Sequence, residues 1–163
     1  MKKLKILLLL TFISSIISSC GYHLRGSINI EGLENVNVIS DSTNNITRIL
    51  QQKLLTYQQD NSKKTKYPSI KILSINSEKR QLSVNSSGRV DEYEINKTIK
   101  YQFIFSENKI ITGVIKSSAS YDFNELQMQG TRERENTAIQ AIDQNLIRKL
   151  LLKFKASFKA NST

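Results

Sequence analysis

The sequence predicts an α+β fold: a mostly antiparallel four-stranded sheet with two α-helices packed on one face, in the order β-α-β-β-β-α. Three observations predict it. Tyr93, Ile95, Lys97, Ile99, Tyr101, Phe103 and Phe105 alternate with Glu94, Asn96, Thr98, Lys100 and Gln102, the period-two pattern of a half-buried strand. Apolar residues recur at helical spacing in two separate stretches, Ile46 to Tyr57 and Ile139 to Phe154. Short polar turns join the strand patterns, which suits a meander with one wet face and with helices covering the apolar one.

Each element has its own local reason. Met1 to Lys5 is basic, Ile6 to Ile17 is apolar, and small residues precede Cys20. That is a secretory signal, too short for the ~20 apolar residues that span a bilayer. Ile17-Ser18-Ser19-Cys20 looks like a bacterial lipobox, in which the Cys thiol is lipidated and becomes the first mature residue. The domain division is therefore residues 1–19 as a removed lipoprotein signal peptide and residues 20–163 as a single domain anchored at Cys20. An ordinary signal peptide with a chance Cys is the alternative. Gly21 follows the Cys where an Asp would resemble an inner-membrane retention signal, so the outer membrane, facing the periplasm, is the expected destination.

Tyr22 to Ser40 reads as extended, with Gly26 and Gly32 as turn points. Asp41-Ser42-Thr43-Asn44 supplies N-cap residues for a first helix over roughly 43–59. A polar loop, 58–64, precedes Pro68, which suits the opening of a strand. Ile70, Ile72, Leu82 and Val84 suggest a strand with an irregularity in its middle, and Ser86-Ser87-Gly88-Arg89 is a turn. After the long alternating strand, Ser106 to Lys109 is a hairpin connection, and Ile111, Ile115, Ala119, Tyr121 and Phe123 line the return. Thr131 is the expected N-cap of the last helix, with Glu133 and Glu135 in its first turns and Arg148, Lys149, Lys153 and Lys155 near its end, as the helix dipole favours.

Composition narrows the function. The 163 residues hold 24 Lys+Arg against 14 Asp+Glu, a formal charge of +10, with a single Cys and a single His. One Cys excludes a disulfide framework within the chain and every Cys-rich metal site. His23 is the only candidate imidazole base and stands beside the anchor. The glycines are scattered singly, so no phosphate-cradling loop is formed. An enzyme is not expected, and neither a metal nor a cofactor. The basic excess first suggests nucleic acid, but a secreted lipoprotein does not normally meet it. The anionic material at an outer membrane is lipopolysaccharide, whose phosphates suit Arg and Lys. Arg89 at its turn and Arg132 and Arg134 at the start of the last helix are the candidate ligand-binding residues, since the two loops can share one end of the sheet. The alternative is that these are exposed loop charges, with Glu133 and Glu135 balancing the helix pair.

Cys20-Gly21-Tyr22-His23-Leu24-Arg25-Gly26 resembles the start of the mature chain in the LptE family of lipopolysaccharide-assembly lipoproteins. Gly88-Arg89-Val90-Asp91-Glu92-Tyr93, Tyr121-Asp122-Phe123-Asn124 and Thr131 to Asn136 follow in the family's order. The resemblance implies two helices on a mostly antiparallel sheet. It also implies a partner, the outer-membrane β-barrel LptD, whose lumen such a protein plugs while assisting barrel assembly and lipopolysaccharide insertion into the outer leaflet. A lumen is wet and polar, which fits strands with one polar face. The runner-up is a lipoprotein assisting another outer-membrane complex, such as a pilotin or a barrel-assembly subunit.

Overall fold

The computed structural model describes residues 36–40, 44–55 and 68–161. In chain order these form β1 (Asn37–Ser40), α1 (Asn45–Leu55), β2 (Ser69–Val84), β3 (Val90–Ser106), β4 (Lys109–Asp122), a 3-10 turn (Glu125–Gln127) and α2 (Met128–Asn161). The signal segment, Cys20, His23, the Asp41–Thr43 part of the capping cluster, Tyr57 and the polar loop lie outside the described residues.

The sheet order is β1-β2-β3-β4. The pairs β2–β3 and β3–β4 are antiparallel, as the short turns require, while β1 pairs with β2 in parallel. The sheet is thus mixed, and α1 is the reason: parallel neighbours need a crossover, and the helix supplies it. Asn44 is the residue of the capping cluster that caps α1, its Oδ1 accepting from the Thr47 amide at 2.8 Å. The Pro68 carbonyl accepts from the Asn37 amide at 3.0 Å, which fixes the entry of both strands.

β3 follows its alternation as read: Ile95, Ile99, Tyr101 and Phe103 are buried. Against them pack Ile70 and Ile72 of β2, Ile115 and Tyr121 of β4, Ile46, Leu50 and Leu54 of α1, and Ile142, Leu146, Leu150 and Phe154 of α2. Phe103 meets Phe154 edge-on with ring centroids 5.0 Å apart, and Phe105 stacks on Phe154 at 5.4 Å. Gly113 stands opposite Tyr101 because the ring lies over it. A Cβ there would strike the ring, 2.6 Å from Cζ.

β2 departs from a simple pattern. Its register slips between Ile72 and Ser74, so Leu73 is an extra residue and the parity inverts. Before the slip Ile70 and Ile72 face the core; after it Ile75, opposite Ile99, does. Further shifts around Ser83 leave Leu82 and Val84 43% and 59% exposed. The expected irregularity exists, but near the two ends of the strand, and Leu82 and Val84 are not core. On β4, Ile111 shares the core-side parity yet is exposed, lying close to the hairpin.

Lys97 occupies a core-facing position and is neutralised there. Its Nζ lies 2.6 Å from Asp143 Oδ1 of α2, with the two side chains 13% and 2% exposed. Asn45 of α1 donates to the other Asp143 oxygen at 3.3 Å. One buried carboxylate thereby ties the sheet and both helices together. Farther along α2, Asn145 donates to Ser117 Oγ at 3.2 Å, and Lys149 Nζ donates to the Lys116 carbonyl at 2.8 Å.

Candidate functional site

The three sequence-selected arginines stand at one end of the sheet, built by the β2–β3 turn and the β4–α2 junction. Asn85 constructs the turn: its Oδ1 accepts from the Ser87 and Arg89 amides at 3.0 and 3.1 Å. Gly88 closes it at φ 74°, a left-handed conformation that glycine adopts without strain. The Phe123 amide donates to the Asp91 carbonyl at 2.8 Å, which brings the junction against the turn.

The last helix begins differently from the sequence reading. Asn124, in extended conformation, caps the 3-10 turn, its Oδ1 accepting from the Leu126 amide at 2.9 Å, and α2 continues from it. Thr131 is therefore inside the helix and buried. Its hydroxyl accepts from the Asn124 amide and donates to the Asn124 carbonyl, both at 3.1 Å. It locks the junction, a task that needs the same small hydroxyl but three residues farther into the helix.

Arg89 reaches across to Glu125, 3.6 Å away, with both side chains more than half exposed. Such a pair contributes little to stability. Together with Asn85, Asp91 and Asn124 they line a cleft of about 240 Å³. Arg134 lines a separate groove of about 620 Å³ between β4 and α2, with Asp122, Glu133 and Ala138. It is tied down, its Nε donating to the Asp122 carbonyl at 3.0 Å and its Nη2 to Thr131 at 3.3 Å. Arg132 is exposed. Arg89 and Arg134 thus share an end but line different depressions.

Sequence reading missed a cluster beside them. Lys79 pairs with Glu135 at 2.9 Å and lies over the rings of Tyr93 and Tyr121, 4.6 and 5.2 Å from their centroids. Burial opposes its ammonium, but the Tyr121 hydroxyl and the Glu135 carboxylate outweigh it, so its pKa is raised. The signal for this cluster was hidden by the parity change in β2, which turns Lys79 to the side where Ile95 sits.

Chemically this end offers cations, carboxylates and shallow clefts, the equipment of a surface that binds. Among the described residues no group of His, Cys, Asp and Glu could hold a metal ion, and no helix is long and apolar enough to cross a membrane. Fold and site define a small helix-backed sheet domain with a polar, shallowly cleft end. The chain belongs to the LptE family, lipopolysaccharide-assembly, whose profile matches residues 27–154.

Solved structures share the fold. The rare lipoprotein B from Shewanella oneidensis is 16% identical with a TM-score of 0.63, the match covering 77% of this chain and 96% of that one. An uncharacterized lipoprotein B from Nitrosomonas europaea is 21% identical with a TM-score of 0.68, covering 86% and 94%. A minor lipoprotein from Acinetobacter baumannii is 12% identical with a TM-score of 0.59, covering 77% and 92%. No curated protein matches the sequence.

Proposed function

We propose that this chain is an outer-membrane lipoprotein, lipidated at Cys20 after removal of residues 1–19, that plugs the lumen of the LptD β-barrel and supports its assembly. In this role it assists insertion of lipopolysaccharide into the outer leaflet, acting by binding without bond chemistry. Family membership supplies the setting. The observation that carries the plug reading is the uncovered face of the sheet. Both helices pack on the other side, and this face presents rows of polar side chains, Asn76–Thr98–Lys116, Glu78–Asn96–Ser118 and Arg80–Glu94–Ser120. A barrel interior is polar and wet, so a body placed inside it needs such a wall.

The test is detergent extraction of the native protein, with photo-crosslinkers at Asn96 and Ser118. A large β-barrel should copurify and be captured from both positions. Capture of a different outer-membrane complex would transfer the protein to the pilotin or barrel-assembly class, and capture of nothing would remove the plug. Mass spectrometry of the mature N-terminus should show an acylated Cys20. Direct lipopolysaccharide binding is assigned to Arg89, Arg132 and Arg134, since Arg suits bidentate phosphate contact. Charge reversal at Arg89 and Arg132 together should weaken salt-sensitive binding while the melting temperature holds. Unchanged binding would leave the barrel as the partner.

A further inference from the structure

The sheet and α2 form a long body whose two ends differ in charge. α2 has 34 residues, about 51 Å at the helical rise. β3 has 17 residues and runs to about the same length. α2 starts at the β2–β3 turn end and finishes at the β3–β4 hairpin end, where Phe158 meets Phe105 at 6.2 Å. Segments 69–75, 99–116 and 144–161 build the hairpin half, and there nine Lys and Arg face one carboxylate, Glu107. Segments 76–96 and 120–137 build the turn end, and there five Lys and Arg face eight carboxylates. The buried Lys97–Asp143 pair lies between them and is self-compensated.

The chain enters at the basic end. Asn37 pairs with Ser69, and Ser69 with Ile104, so Val36 lies beside the hairpin. Cys20 is 16 residues upstream of Val36, a tether of at most about 55 Å. A surface at the hairpin end lies well within that reach, and one at the turn end, about a body length away, lies at its limit.

We propose that, before a barrel encloses the body, the hairpin end is a membrane-facing pole that seats on a bilayer bearing anionic phospholipid headgroups. Each basic residue near such a surface strengthens binding roughly fivefold. Lys109 and Lys153 are exposed at this end, and the exposed Ile110 and Ile111 of the hairpin can enter the headgroup boundary. The orientation rests on the anchor reading at Cys20. The charge asymmetry stands without it.

The experiment uses the full mature chain and one introduced thiol, Asn108→Cys in the β3–β4 turn or Ser87→Cys in the β2–β3 turn, each fluorescently labelled. Both positions are exposed. Vesicles of phosphatidylcholine, with or without phosphatidylglycerol, carry a quencher on their headgroups. In phosphatidylglycerol vesicles the label at 108 should be quenched severalfold more than the label at 87. The difference should vanish at ~1 M salt, where the Debye length is about 3 Å, and should shrink in Lys109→Glu/Lys153→Glu. Equal quenching at both positions, stronger quenching at 87, or indifference to phosphatidylglycerol would overturn the pole. The mass of the chain reports the anchor separately. If Cys20 is unmodified, the anchor reading fails, and the same measurement on the Cys20→Ser chain still decides the pole.

Discussion

β2 and β3 lie side by side over 16 and 17 residues, yet they obey different rules. β3 is paired on both sides and keeps one parity from Tyr93 to Phe105, so every second residue meets the helices. β2 carries an extra residue at Leu73, and its apolar side chains change faces partway along. Its later apolar residues, Leu82 and Val84, end outside the core while Lys79 moves to the helix side. The period of a strand is a property of its register with its neighbours, and a single inserted residue redirects every side chain beyond it.

The largest test of that contrast is truncation. Phe103→Ala in β3 should cost about 3–5 kcal/mol, the range of a buried aromatic. Leu82→Ala in β2 and Lys100→Ala on the open face of β3 should each stay within about 0.5 kcal/mol. Urea melts measure all three, and a Leu82 as sensitive as Phe103 would mean that β2 has no parity change. The polar exception in β3 comes next. Lys97→Met strands Asp143 without its counter-charge and should cost about 3 kcal/mol, whereas adding Asp143→Leu should return much of it. A double-mutant cycle reads the difference, and two additive losses would show that the pair is not coupled.

A smaller effect is expected across the β3–β4 boundary. Gly113→Ala forces the Tyr101 ring aside and should cost about 1–3 kcal/mol. Tyr101→Leu in the same chain should relieve the clash, and a Gly113→Ala melt identical to the native one would put the ring elsewhere. The smallest effect is on pH. Burial raises the hydroxyl pKa of both Tyr101 and Tyr121. A group raised on folding contributes its full stability below its unfolded pKa and loses it as pH rises through the folded value. Thermal melts should therefore be level near neutrality and decline shallowly above about pH 10, less so in Tyr101→Phe.

Much of this architecture can be read from residues whose neighbours are local. The alternation of β3, the Glu107-Asn108 hairpin and the stripe from Ile142 to Phe154 depend on one element's own period. What cannot be read depends on a second element. The parallel pairing of β1 follows from where α1 returns the chain. Thr131 and Asn124 both suit a cap, and only the junction against Asp91 decides between them. Lys97 follows the core parity of β3, but its partner lies 46 positions away on another element. At the candidate site, the sequence placed Arg89 and Arg134 at a common end correctly, because the strands run out and back. It could not show that Arg134 would be fastened to the Asp122 carbonyl, since that bond needs the finished corner.

The bond from Lys149 to the Lys116 carbonyl has a consequence for the life of the protein in a crowded compartment. β4 is the last strand of the sheet, 14 residues long. A bare margin of that length is a template on which a stray chain can add itself and begin an aggregate. Lys149 places an ammonium on that margin beside Ser117, where an incoming strand would have to displace a charge and leave it unsolvated. At the Lys116 carbonyl the margin is thereby already taken, and the charge held there opposes the pairing of a stray strand.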